Sequence, residues 1–307
     1  MIAGWMLLGL LSALLLGMYE TAKKQAVHQN AVLPTLLLSV SAGACCMLPI
    51  LLLNLFSSDS ASKFGVQMHP MTNLQHLAVF GKAALVGTSW ICAYIGLKHL
   101  PLSIASPVRA SAPIWTLIGA IAFLGEMPTT WQFIGFFIAI GGYFALSLLG
   151  RKEKIVFHRN GWIGLIVLAT VLGTASALWD KVLLHEVGLA PITMQVWFSL
   201  YLVPFTAVIA GLFWLPQRHG RTGRGMPFQW RWATVMTGVL LILADTAYFY
   251  GLAEDDASIA LMSAIRRSSV AVSVIAAGLL LKEYATKQKL LIIGGILIGI
   301  FCILLGD

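Results

Sequence analysis

Apolar runs of about 18 residues or more, each long enough for a ~30 Å hydrocarbon core, recur along the whole chain between short polar stretches. The pattern predicts ten membrane spans, at 2–23, 33–56, 77–97, 102–123, 131–149, 161–179, 191–215, 232–252, 257–281 and 290–305. The first run has no basic residue ahead of it and no small-residue cleavage pattern after it, so it reads as a helix and not as a removable leader. The longest polar stretches, 57–75, 151–160 and 216–230, are too short to fold alone. Whatever chemistry the chain performs is therefore expected at membrane depth.

Composition agrees with the bilayer as solvent: 59% of residues are hydrophobic and only 10% are charged. The net charge of +8 does not point to nucleic acid, because no water-facing domain concentrates it. Cys45, Cys46, Cys92 and Cys302 all lie in apolar runs without metal-ligand spacing and read as small apolar fillers. No metal or cofactor is expected. The chain contains no HExxH, no GxxxxGK[ST] and no acidic metal pair, and its histidines, among them His28, His76 and His185, are scattered in loops and at helix ends. A membrane-embedded enzyme is the least favoured reading.

The basic linker at Arg151–Lys154 divides the chain into two repeats, 1–150 and 151–307. In the first, Tyr94-Ile95-Gly96-Leu97 is followed by Ser103-Ile104-Ala105, then Arg109-Ala110-Ser111, and the span closes on Phe123-Leu124-Gly125-Glu126. In the second, Phe249-Tyr250-Gly251-Leu252 is followed by Ser258-Ile259-Ala260, then Arg266-Arg267-Ser268, and the span closes on Leu280-Leu281-Lys282-Glu283. The interval from arginine to glutamate is 17 residues in both, 109 to 126 and 266 to 283. Spans 1 and 6 also end alike, on Tyr19-Glu20 and Trp179-Asp180.

Five spans per repeat is an odd number, so tandem copies enter the membrane from opposite sides. Loop charge agrees. Lysine and arginine crowd the odd-numbered loops, at Lys23-Lys24, Lys98, the 151–159 linker, the 218–231 segment and 282–289. The other side carries Lys63, Lys82 and Lys181 and an acidic Glu254-Asp255-Asp256 loop. By the positive-inside rule both termini face outward, as expected for a multi-pass protein of a bacterial inner (plasma) membrane. The fold class is thus all-α integral membrane, ten transmembrane helices as two inverted five-helix repeats.

This plan, with the Ala112-Pro113 to Glu126 stretch, resembles the EamA-type transporters of the drug/metabolite transporter superfamily. The resemblance implies secondary transport through a central cavity lined by spans 1, 3, 4, 6, 8 and 9. Two features depart from it: Val270 stands where the second copy of the motif has proline, and both copies carry arginine. The Arg266-Arg267 pair is similar to the phosphate-binding pair of the related sugar-phosphate and nucleotide-sugar translocators.

Arg109 and Arg266 stand about seven and nine residues into their spans, near the middle of the membrane at equivalent places in the two repeats. An arginine there costs at least ~2.5 kcal/mol, so it is expected to face a cavity, or else to be held by an ion pair or broken-helix carbonyls. Arg267 points about 100° away from Arg266 on a helix. Asp245 is also deep, as a counter-ion, a proton-coupling carboxylate or a contact for a substrate amine. Three deep arginines against one aspartate favour a solute bearing carboxylate or phosphate. The candidate substrate-binding residues are Arg266, Arg109, Arg267, Asp245, Trp90, Tyr94, Tyr248, Ser111 and Ser268, the aromatics being open to a packing or interfacial role. Asp245, Glu20 and Asp180 are the candidates for ion coupling. The alternative functions are a flippase of a phosphate-containing lipid and an exporter of amino acids or drugs. Small residues at Gly135, Ala139, Gly295 and Gly299 allow spans 5 and 10 to approach closely, within the chain or across a homodimer.

Overall fold

A computed structural model of the chain describes residues 3–99, 108–109, 111–148, 161–215, 227–269, 272 and 287–305. These residues are helical between short turns, with no strand among them. The helices are α1 (Gly4–Val27), α2 (Val32–Phe56), a short surface helix α3 (Ser58–Lys63), α4 (Asn73–His99), α5 (Ala112–Leu124) and α6 (Thr130–Leu148). After the linker come α7 (Gly161–Lys181), continued by a π-helical turn at Val182–Glu186, then α8 (Pro191–Phe213), α9 (Trp232–Leu252), α10 (Ile259–Arg267) and α11 (Lys287–Leu305). Among the described residues six helices, α1, α2, α4, α7, α8 and α9, are long and apolar enough to cross a membrane. Each of the predicted spans overlaps a described helix or part of one.

A backbone in hydrocarbon must satisfy its own hydrogen bonds, and these sequences also hide their small polar side chains in the helix ladder. Thr35, Thr116, Thr170, Thr206 and Thr237 each donate a hydroxyl to the carbonyl four residues earlier. Other hydroxyls tie helices together. Ser12 of α1 donates to the Ala244 carbonyl of α9 at 2.8 Å, and Ser89 of α4 to the Ala169 carbonyl of α7 at 2.7 Å. Large apolar side chains such as Leu55, Phe56, Phe123 and Leu291 point outward, as a lipid-facing surface requires.

Helices of the first half pack mainly on helices of the second: α1 on α9, α4 on α7 and α8, α2 on α8 and α9, α5 on α7 and α10, and α6 on α11. A close approach joins α6 to α11, where a β-carbon on Gly135 would strike the Gly299 carbonyl and one on Gly299 the Gly135 carbonyl. The small residues foreseen there thus meet inside a single chain. Gly295 does not share in the contact, since a β-carbon there would meet nothing.

Candidate functional site

Lys82 lies in mid-α4, buried at 2% exposure, and Asp180 near the end of α7 at 4%. Their side chains meet at 2.5 Å, joining the two halves of the chain. The Lys82 ammonium also sits over two rings, 4.3 Å from the centroid of Phe198 and 5.0 Å from that of Phe249. The second Asp180 oxygen accepts from the Tyr248 hydroxyl at 3.1 Å. Tyr248 in turn carries the Arg266 guanidinium on its ring face, 4.0 Å from the centroid. Arg266 completes the chain of contacts by donating from Nη2 to Asp245 Oδ1 at 2.7 Å. Two ion pairs therefore flank one tyrosine. The first is sealed, whereas Arg266 and Asp245 keep 20% and 13% of their side-chain surface accessible.

Local sequence explains why Arg266 stands where it does. Gly125 closes α5 in the left-handed conformation, at φ 67°, where only glycine is unstrained. That turn directs Glu126 onto the start of α10. Its carboxylate accepts from Ser258 Oγ at 2.6 Å and from the backbone N–H of Ile259 and Ala260 at 2.9 and 3.4 Å. Ser258 itself accepts from the Leu261 N–H at 3.3 Å. A nine-residue helix is thus capped by an acid from the other half of the chain, and Arg266 follows two turns later. The same end of the molecule is tied again by Lys181, which donates to the Ala257 carbonyl at 2.5 Å, and by His185, whose ring nitrogen contacts the Leu252 carbonyl at 2.7 Å.

Two adjoining clefts share Ser39, Val40 and Leu241 in their walls. One is lined by Tyr19, Lys23, Trp90 and Thr237, the other by Gly43, Phe198, Ser199, Gly238 and Asp245. Both lie between helices of the two halves, the first reaching Lys23 on α1 and the second Asp245 on α9.

Among the sequence candidates, Asp245, Arg266, Tyr248 and Asp180 are brought into one network, and Trp90 into the cleft that reaches Lys23. Lys82 is the correction. Counted from sequence among the loop charges, it is a buried partner of Asp180, and its position five residues inside an apolar run was the available signal. Arg109 occupies a helical turn ahead of α5, and Arg267 ends α10. Neither joins the Tyr248 network. The hydroxyls of Ser111 and Ser268 are engaged locally, with the Val108 and Ile265 carbonyls. Glu20 pairs with Lys23 at 3.1 Å. The Tyr94 side chain and Glu283 lie outside the described residues.

Among the described residues the chain is a helical bundle with apolar spans, two buried ion pairs joined through Tyr248 and two small clefts between its helices. Residues 3–148 match the EamA-like transporter family. It is 25% identical over 146 residues to a probable terminal-alkyne amino-acid exporter of Streptantibioticus cattleyicolor. That match covers 47% of this chain and 48% of the exporter, so it spans about half the length of each. A crystal structure of another protein superposes with a TM-score of 0.73 over 99% of this chain and 98% of its own, at 14% identity, which establishes a shared fold.

Proposed function

We propose that this protein is a secondary transporter of a small carboxylate- or phosphate-bearing metabolite, moved by alternating access between two inverted five-helix repeats, 1–150 and 151–307. The observation that carries the reading is the cleft lined by Asp245, whose partner is Arg266, in the more accessible of the two buried pairs. Arginine keeps its charge when desolvated and presents a planar fork to an oxyanion. A carboxylate or phosphate that reached the cleft's inner end would compete with Asp245 for Arg266.

The helix pairings support the inverted repeats. Exchanging the halves turns α1·α9 into α7·α4, α2·α9 into α8·α4, and α5·α7 into α10·α1, and all of these contacts are present. The Glu126 and Lys181 ties hold one end shut while the cleft opens toward the other, the arrangement expected of one extreme of a rocking cycle. By loop charge the open end is cytoplasmic, with both termini outside an inner membrane.

Asp245 beside Arg266 favours a particular kind of solute. A site offering an acid and a base together suits a zwitterion, whose ammonium and carboxylate each find a partner, and the relative named as an amino-acid exporter agrees. Binding of this solute, rather than catalysis, is the role we assign to the buried charges.

A thermal-shift screen of the purified protein over amino acids, organic phosphates, carboxylates and permanent cations tests this, followed by flux measurements in proteoliposomes. The expected best stabiliser carries a carboxylate or phosphate and is transported. A best ligand that is a cation without an acidic group would contradict the reading.

A further inference from the structure

Tyr248 belongs to both buried pairs at once. Its hydroxyl donates to one oxygen of Asp180 at 3.1 Å, while the other oxygen of that carboxylate holds Lys82. Its ring face carries the Arg266 guanidinium, 4.0 Å from the centroid, and Arg266 donates to Asp245. Of these five residues Lys82 alone comes from the first half, so the bond that crosses between the halves depends on a carboxylate that Tyr248 also holds. A buried ion pair is stable only while further hydrogen bonds satisfy it. Through Tyr248 a change at Arg266 can therefore reach the contact between the halves.

The Arg266 end is built to change. Arg266 gives Asp245 a hydrogen bond from Nη2, and its buried Nε has no partner among the described residues. A carboxylate or phosphate would find that donor free and, taking the adjacent Nη2 as well, complete the two-pronged contact that a guanidinium makes best. That contact displaces Asp245 and strands its carboxylate at a large cost. Asp245 and Tyr248 stand three residues apart on α9 and both touch Arg266, so they share a face of the helix. The Tyr248 hydroxyl is thus a donor one turn away from the carboxylate that needs one.

We infer that Tyr248 is a positioning residue that couples the solute site to the contact between the halves. When an oxyanion takes Arg266 from Asp245, the Tyr248 hydroxyl leaves Asp180 for Asp245, and the Lys82–Asp180 pair, having lost a support, loosens. The inference rests on the transporter reading and adds to it a link between occupancy and movement. No proton is transferred: one hydrogen bond of the hydroxyl breaks and another forms. Such coupling is reciprocal, so whatever solute binding takes from the bridge, removal of the bridge returns to solute binding.

The test measures oxyanion affinity in the full chain, with acetate and inorganic phosphate as probes, from the concentration dependence of the melting temperature at constant total salt. Wild type, Tyr248→Phe, Lys82→Met/Asp180→Leu and the triple variant form a cycle. Tyr248→Phe keeps the ring beside Arg266 and removes only the hydroxyl. With Tyr248 present, loss of the bridge frees the hydroxyl for Asp245 in advance and should tighten binding roughly tenfold, the worth of one hydrogen bond to a charged group. In the Tyr248→Phe background the same two substitutions should change affinity by less than about twofold. A residue that merely packs would give one factor in both backgrounds. Equal factors, or binding weakened by loss of the bridge, would overturn the inference and leave the solute site standing. Where Tyr248→Phe does not fold, Lys82→Met/Asp180→Leu against wild type decides alone, and unchanged or weaker binding sinks the coupling. Arg266→Ala separates the two readings: oxyanion binding absent from wild type, or undiminished in Arg266→Ala, would contradict the solute site itself and the coupling with it.

Discussion

Lys82 and Asp180 meet at 2.5 Å across the boundary between the two halves of the chain, almost wholly removed from solvent. Burying two charges costs more than their attraction returns unless further contacts satisfy them. Here Tyr248 donates to the carboxylate and two aromatic rings face the ammonium. Removing one partner leaves the other charge stranded. Lys82→Met and Asp180→Leu should each destabilise the protein by about 3–5 kcal/mol, while the double variant Lys82→Met/Asp180→Leu should recover most of the loss. Thermal unfolding of the four proteins in one detergent reads this directly. Additive losses in the double variant would show that the pair does not act as a unit.

Glu126 offers a separate test, since it holds the first turn of the helix that ends on Arg266. Glu126→Ala should cost about 0.5–2 kcal/mol of stability, as other lost helix caps do. Its effect on solute affinity should exceed that of a comparable change at a lipid-facing residue such as Leu291. Glu126→Gln keeps one acceptor oxygen and should lose less. Equal affinity in wild type and Glu126→Ala would mean that α10 holds its place without the cap.

Much of this was legible in the sequence and some was not, for identifiable reasons. Span positions follow from runs of apolar residues, which the bilayer enforces, and the described membrane helices other than α5 and α10 start and stop close to the expected limits. Asp245 and Arg266 were legible as deep charges because each stands well inside a long apolar run. Which of them pair was not, since the contact spans 21 residues and two helices. Lys82 was misread through the assumption that lysine near a span end belongs to a loop. It already stood five residues inside the predicted span, and α4, which begins four residues earlier still, places it deeper. The Glu126 motif was visible twice by spacing, yet its role as a cap depends on a turn at Gly125 and a helix start 132 residues away.

The orientation prediction is independent of the site. Reporter fusions near Lys154 and at Asp307 should place the linker in the cytoplasm and the C-terminus outside, from the charge asymmetry of the loops. A cytoplasmic C-terminus would reverse the direction in which the cleft opens while leaving the pairing of the helices unchanged.

The central claim is that Arg266 holds the acidic group of the transported solute, in exchange with Asp245. The most direct measurement is the affinity of purified Arg266→Ala, Arg266→Lys and Arg266→Ala/Asp245→Asn proteins for the best carboxylate- or phosphate-bearing solute of the screen. The double variant removes both charges of the pair and so separates loss of binding from loss of fold. The account predicts a drop of roughly ten- to a hundredfold in Arg266→Ala and in the double variant, with partial recovery in Arg266→Lys. Wild-type affinity in a folded Arg266→Ala protein would contradict it and leave the Asp245–Arg266 pair a purely structural bridge.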